Sequence, residues 1–235
     1  MKRLAISLVL LPALLMMLAC SSTIALAGDF GKPQELVAKG TAVFKSFMQD
    51  PNMTWFRNNV HRARGIFIVP QMLRGGFIIG GSGGSGMLLA RDRKSGEWSY
   101  PAFYTMGSVS LGLQIGADAS ELILLVMTQK GLDAMLSTEF KLGADVSVAA
   151  GPAGASAKAQ LADVLAFGRS KGLFGGVSIE GALIAPRHDW NEAYYHAPVS
   201  PVDILIRRTV KNPQADILRS ILPKMRPPKT KPLGT

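Results

Sequence analysis

Apolar positions after Pro33 recur at three- and four-residue spacing, with Leu36, Gly40, Val43, Phe44 and Phe47 along one side of residues 34–49. This spacing predicts an amphipathic helix with Lys39 and Lys45 among its polar positions and Pro33 in its first turn. Asp50-Pro51-Asn52 breaks the chain. Thr54 then stands where it would cap a second short helix, with Trp55, Phe56, Val60 and Ala63 on one side and Arg57, His61, Arg62 and Arg64 on the other. From Gly65 the pattern becomes extended: residues 65–69 form an apolar run stopped by Pro70, and 77–79, 87–90, 98–103, 108–115 and 121–128 continue the series. Within 108–115, Val109, Leu111, Leu113 and Ile115 alternate with Ser108, Ser110, Gly112 and Gln114, the mark of a half-buried strand. Residues 130–137 read as a short helix, and Phe140, Leu142, Ala144, Val146 and Val148 alternate as another strand. Residues 151–159 are small and turn-rich. Strand character returns at 164–167 and 173–185 around a turn at 168–172, and helical character near 189–195. Ser200-Pro201 and Asn212-Pro213 each set a capping residue before a proline, which opens two closing helices.

Helices, then many strands without βαβ alternation, then helices again predict an α+β fold. The expected form is a curved, mainly antiparallel sheet or partial barrel with N- and C-terminal helices packed against it.

The start of the chain bears on which residues belong to that fold. Lys2 and Arg3 precede an apolar run at 4–19 broken only by Ser7 and Pro12, which reads as a secretory signal peptide. The run is shorter than the roughly 20 residues of a membrane span, so the mature protein is expected to have no transmembrane helix. Two processing sites remain open. Ala25-Leu26-Ala27 fits cleavage of residues 1–27, whereas Met17-Leu18-Ala19-Cys20 fits a lipobox in which Cys20 is acylated. Either places the protein outside the cytoplasm, in the periplasm or attached to a membrane of the cell envelope. Cys20 is the sole cysteine, which leaves the mature chain no internal disulfide and no cysteine-based metal site. Residues 28–222 are expected to form a single domain.

Charge is concentrated at the other end. From Arg207 onward eight basic residues stand against Asp216 alone, whereas residues 28–206 carry 16 basic and 15 acidic side chains. Residues 223–235, with Pro227, Pro228, Lys229, Lys231 and Pro232, read as a basic, proline-rich disordered tail. A strongly basic chain points to a polyanion, and export favours anionic phospholipid over nucleic acid.

Candidate chemistry is sparse. Residues 80–86, Gly-Gly-Ser-Gly-Gly-Ser-Gly, formally satisfy both a dinucleotide fingerprint and a nucleophile elbow around Ser82. Both need a following helix, and Met87-Leu88-Leu89-Ala90 reads as easily as strand. The glycines are expected to permit tight turns and close approach of another backbone. His61, His188 and His196 lack partners at metal-ligand spacing. No catalytic set, cofactor or metal is expected, and the chain reads as a non-enzyme. More informative is the absence of any acidic residue between Asp50 and Asp92, a stretch that holds Arg57, His61, Arg62, Arg64 and Arg74. Interleaved Trp55, Phe56 and Phe67 would suit insertion at a membrane interface while the guanidinium groups meet phosphates.

Several blocks resemble the SYLF domain family, a lipid-binding module of bacteria and eukaryotes. They are residues 63–70 (Ala-Arg-Gly-Ile-Phe-Ile-Val-Pro), 76–86 (beginning Gly-Phe-Ile-Ile), 101–108 (Pro-Ala-Phe-Tyr-Thr-Met-Gly-Ser), 112–117, 141–145 and 171–178 (Lys-Gly-Leu-Phe-Gly-Gly-Val-Ser). The resemblance runs from about Glu35 to Ser200. It implies phospholipid binding, with phosphoinositides as ligands of eukaryotic members and actin as a partner in yeast. In a bacterial envelope the corresponding partners would be anionic membrane phospholipids, with an envelope scaffolding protein as the alternative. The implied contacts fall on the helix at 34–49 and on basic side chains, making Lys39, Lys45, Arg57, Arg62, Arg64 and Arg74 the lipid-binding candidates.

Overall fold

The computed structural model describes residues 33–76, 79–111, 116–150, 161–170, 179 and 181–224. The predicted signal segment, Cys20, the turn at 151–159 and the tail from residue 225 lie outside them. Helix α1 (Pro33–Gln49) leads through a 3-10 turn (Pro51–Met53) into α2 (Thr54–Val60). Four long strands follow, β1 (Gly65–Gly76), β2 (Ile79–Ala90), β3 (Ala102–Leu111) and β4 (Gly116–Val126). Then come α3 (Gln129–Met135), β5 (Phe140–Lys141), β6 (Val148–Ala150), β7 (Val164–Ser170), β8 (Leu183–Pro186) and α4 (His188–Tyr195). A π turn (Asp203–Arg207), a 3-10 turn (Pro213–Ala215) and α5 (Asp216–Ile221) complete the described chain.

The strands form one sheet in the order β5-β8-β3-β2-β1-β4-β7-β6, strongly curled into a half-barrel and antiparallel except for the β6–β7 pair. The fold is α+β, as expected. Both faces of the central strands are buried, so β1 begins as an unbroken apolar run rather than an alternating one. Phe67, Val69, Leu88, Tyr104, Leu122 and Leu124 join the cluster inside the curl. On the opposite face Ile68 and Met87 lie under Gly40 of α1. There Phe56 packs edge-on against Phe167 with centroids 5.2 Å apart, and Phe103 against Tyr194 at 4.9 Å. Phe56 and Phe67 are thus core residues, and the reading that inserts them at a membrane interface is corrected: burying an aromatic ring in the core leaves no face for lipid. Trp55 is half-buried against Phe167.

Pro70 does not stop β1. Ile68 pairs with Met87 but Leu73 with Gly83, and Val69 pairs with Leu122 but Met72 with Ser120, so β1 carries one extra residue against both neighbours. A bulge of this kind leaves a residue out of the ladder, which accommodates a residue without an N–H in a central strand. The extra residue also lets Val69 and Met72, three apart, both enter the interior.

The bulge accounts for part of the glycine run as well. Residues 80–86 are strand, not turn, and the helix that either enzymatic motif requires does not follow them. A β-carbon on Gly84 would collide with the Gln71 carbonyl at the bulge, and one on Gly86 would collide with the Phe67 ring. Close approach was the correct half of the expectation. At Gly81 and Gly83 the nearest atom is an ordinary 3.6 or 3.7 Å away.

Two further expectations change. Thr54 does not cap α2: Asp50 instead accepts from the Asn52 N–H at 2.9 Å and caps the 3-10 turn. The alternating stretch at 140–148 is no single strand, because it turns at Gly143 (φ 86°) with Leu142 bridged to Val146. Asn212 caps as expected, through its Oδ1 on the Gln214 N–H at 3.1 Å. No helix among the described residues is long and apolar enough to cross a membrane.

Candidate functional site

The acid-free stretch enters the sheet at Arg64. Its N–H donates to the Val126 carbonyl (2.7 Å), and its own carbonyl accepts from the Arg91 N–H (2.7 Å). Arg64 and Arg91 therefore stand opposite each other one step beyond the Gly65–Ala90 pair. Arg91 is only 8 % exposed. It donates through Nη1 to the His61 carbonyl at 2.8 Å, and its guanidinium lies 5.3 Å from the centroid of the Trp98 ring. Burial, and after it the charge of Arg64, hold its pKa below the ordinary arginine value.

After Arg91 the chain turns. Asp92 Oδ1 accepts from the N–H groups of Lys94 (2.9 Å) and Ser95 (2.7 Å), and Gly96 takes a positive φ of 74°. Those backbone bonds, from Ser95 and then Lys94, hold the Asp92 carboxyl below its usual range. With Asp92 occupied inside the turn, Arg93 and Lys94 project from it exposed. A third segment adds Arg208, in the left-handed region at φ 58°, whose guanidinium donates to the Glu97 carbonyl at 2.9 Å. Arg62, Arg64, Arg91, Arg93, Lys94 and Arg208 thus gather at one end of the sheet from three separate parts of the sequence.

The C-terminal segment clamps the same turn. Trp98 Nε1 donates to the Pro223 carbonyl (3.0 Å), Arg219 Nε to the Trp98 carbonyl (3.0 Å), and the Tyr100 hydroxyl to Asp216 (2.8 Å). Arg219 also lies over the Tyr100 ring, 4.1 Å from its centroid. An open cleft of about 670 Å³ runs between Glu97, Trp98, Tyr100, Asp216, Arg219 and Lys224. The described chain thus ends beside the basic turn.

The predicted lipid-contact residues do not form one set. Arg62 and Arg64 lie at this end. Arg74 is ten residues further along β1, roughly 30 Å away at strand rise. Arg57 donates to the carbonyls of Asp50 and Pro51 and, at 2.9 Å, to Thr54 Oγ1, so its guanidinium fastens the turn between α1 and α2. Lys39 pairs with Glu35 at 2.7 Å on the exposed side of α1. Lys45, also exposed, lies six residues on and so about 120° around the helix from Lys39.

Sequence reasoning missed Arg91, Arg93, Lys94, Arg208 and Arg169. The first three stand in the dense run Arg91-Asp92-Arg93-Lys94 that closes the acid-free stretch, which was the available signal. Arg169 had none, since its partners are 48 to 123 residues distant. It donates to Glu121 (Nε, 3.0 Å), Asp50 (3.3 Å) and Ser46 (2.7 Å) and stacks 4.9 Å from the Phe47 ring centroid. Beside it a cleft of about 540 Å³ separates Lys39 and Val43 from Pro70 and Gln71.

Comparison with known proteins places the chain in a family. Residues 107–225 match the family model Ysc84, described as Las17-binding protein actin regulator. The chain is 34% identical over 200 residues to Protein YSC84 of Saccharomyces cerevisiae, covering 78% of this chain and 42% of that protein. LAS seventeen-binding protein 3 of the same yeast matches at the same identity and coverage. The human SH3 domain-containing YSC84-like protein 1 is 30% identical over 169 residues, covering 69% of this chain and 49% of that protein. The chain thus spans less than half the length of these relatives. No solved structure matches it.

Proposed function

Because the chain belongs to the Ysc84 family, the SYLF domain family, we propose that it is a non-catalytic binding domain that attaches to anionic phospholipid surfaces through the basic end of its sheet. The observation that carries this reading is the convergence of Arg62, Arg64, Arg91, Arg93, Lys94 and Arg208 at one end, with Arg93 and Lys94 on an exposed turn whose aspartate is occupied. Each basic side chain near an anionic membrane contributes up to about 1 kcal/mol, and the attraction weakens with salt. The sequence from residue 225 adds Arg226, Lys229 and Lys231.

The Lys2-Arg3 start and the apolar run at 4–19 support export, with the domain facing a membrane of the cell envelope. Mass spectrometry of the protein recovered from cells would test this: a mature start at Gly28, or an acylated Cys20, is expected, and an intact Met1 start in the cytosol would refute it.

The lipid assignment is tested by flotation with phosphatidylcholine vesicles, with and without phosphatidylglycerol. The expected result is binding only to the anionic vesicles, weakened about tenfold or more in Arg93→Glu/Lys94→Glu. Equal binding by parent and variant would refute the site. A second reading, contact with a scaffolding protein, draws on the name of the yeast relative LAS seventeen-binding protein 3 and on the family's description as Las17-binding protein actin regulator. It predicts recovery of one stoichiometric protein partner, insensitive to salt.

A further inference from the structure

Arg64 and Arg91 set two like charges opposite each other at the start of β1. Like charges facing each other across neighbouring strands destabilise a sheet. Here one of the two is nearly buried, at 8 % exposure, which adds a desolvation cost. Elsewhere Arg169 meets Glu121 and Asp50, Arg187 meets Asp189, and Arg219 meets Asp216, while Arg57 and Arg208 donate to backbone carbonyls. Among the described residues neither Arg64 nor Arg91 meets a carboxylate. The nearby carboxylate of Asp92 is bound to the N–H groups of its own turn.

Arg91 is nonetheless held in place. Its Nη1 donates to the His61 carbonyl (2.8 Å), and its guanidinium lies against the Trp98 ring, which is tied in turn through Nε1 to Pro223. A guanidinium presents five N–H donors in a fixed fork, and one contact to a carbonyl leaves most of them available. Arg64 is half-buried beside it and makes no side-chain hydrogen bond or ion pair among the described residues. The ligand chemistry that satisfies two adjacent forks is a compact oxyanion with several acceptor oxygens, and phosphate matches guanidinium geometry.

We infer that Arg64 and Arg91 form a phosphate-binding pair, in which one phosphate group accepts hydrogen bonds from both guanidinium groups at the start of β1. This rests on the reading of the basic end as the anion-facing surface and names the group that docks there. A lipid headgroup and a free phosphate share that chemistry. The exposed Arg93, Lys94 and Arg62 then contribute long-range attraction, while the pair supplies the specific contact.

The test is thermal unfolding of the purified protein in inorganic phosphate against chloride at matched ionic strength, beside sedimentation with phosphatidylglycerol–phosphatidylcholine vesicles. Phosphate at ten times its dissociation constant should raise the parent's Tm by about 3–5 °C. Arg64→Gln removes the repulsion without touching another side chain, so it should unfold no earlier than the parent in chloride and lose the phosphate-dependent rise. Arg93→Gln should keep that rise. If Arg64→Gln also weakens vesicle binding, the phosphate is a lipid headgroup; if vesicle binding is unchanged, it is a free phosphate, and both outcomes retain the pair. A parent insensitive to phosphate, or an equal response in Arg64→Gln, overturns the pair. Vesicle binding that persists in that case leaves the broader lipid reading standing.

Discussion

Arg169 and the basic cluster at the start of β1 show how a cationic side chain can serve the fold or be left for a partner. At the junction of α1, β4 and β7, Arg169 meets two carboxylates, a serine hydroxyl and an aromatic face, with its side chain only 14% exposed. At the start of β1, Arg62, Arg64, Arg91, Arg93 and Lys94 form no ion pair among the described residues, although Asp92 stands between two of them. The difference lies in where the carboxylates are occupied. Asp50 caps its own turn with Oδ1 and turns Oδ2 to Arg169 beside Glu121, whereas Asp92 accepts only from its own turn, through Oδ1. Counting basic residues therefore says little about binding until the partners of each have been identified.

The largest effect that would sharpen this comparison is expected at Arg169. Arg169→Met leaves Glu121 and Asp50 without their shared partner and should lower unfolding free energy by about 3 kcal/mol, read by urea denaturation, while the folded fraction binds anionic vesicles like the parent. Loss of vesicle binding by the folded variant would break the contrast. Next comes the bulge that holds the strands between the two groups in register. Gly84→Ala must displace the Gln71 carbonyl and should cost about 2 kcal/mol, whereas Gly83→Ala should stay within about 0.5 kcal/mol. Equal costs would mean that the glycines serve strand flexibility rather than close approach.

A smaller, pH-dependent effect is expected at Asp163, which joins α3 to β6 and β7. Its carboxylate accepts from Thr128 Oγ1 (2.6 Å) and from Ser147 N–H (3.0 Å) and Oγ (2.8 Å). Burial alone would raise its pKa, but these bonds, with the charge of Lys130, hold it below the ordinary value. A carboxyl lowered by folding stabilises the native state above its unfolded pKa of about 3.9, and that contribution is lost as pH falls through the lowered value. The urea midpoint should therefore drop below about pH 4, and Asp163→Asn should remove that component of the fall. The smallest stability effect is expected at the basic end itself, where Arg93→Gln/Lys94→Gln should move the unfolding free energy by no more than about 0.5 kcal/mol.

Much of the architecture was legible in the residue pattern. The amphipathic spacing of Leu36, Val43, Phe44 and Phe47 is the buried face of α1, and Asn212-Pro213 starts the closing turn that leads to α5. The misplaced chain breaks fall on Pro70 and the glycine run. Pro70 and the glycines at 80–86 carry the local marks of chain breaks, yet they lie within long strands: the bulge in β1 tolerates a residue without an N–H and brings the Gln71 carbonyl against Gly84, and the Phe67 ring fills the place of a side chain at Gly86. The site was half legible. Arg62 and Arg64 were visible in the acid-free stretch, but their grouping with Arg91, Arg93, Lys94 and Arg208, and their separation from Arg74, depend on strand pairing. Phe67 is buried in the sheet's core cluster and Phe56 by the packing of α2 against Phe44, Phe47 and Phe167, although both looked like interfacial aromatics.

The most direct test of the account compares vesicle sedimentation across a salt series for three forms of the protein: the parent, one ending at Lys224, and one carrying Arg62→Gln, Arg93→Gln and Lys94→Gln. The account predicts that the shortened form keeps most of its salt-sensitive binding to phosphatidylglycerol vesicles and that the triple variant loses it. Binding that disappears with the tail and survives in the triple variant would contradict the assignment of the basic end as the membrane-facing site.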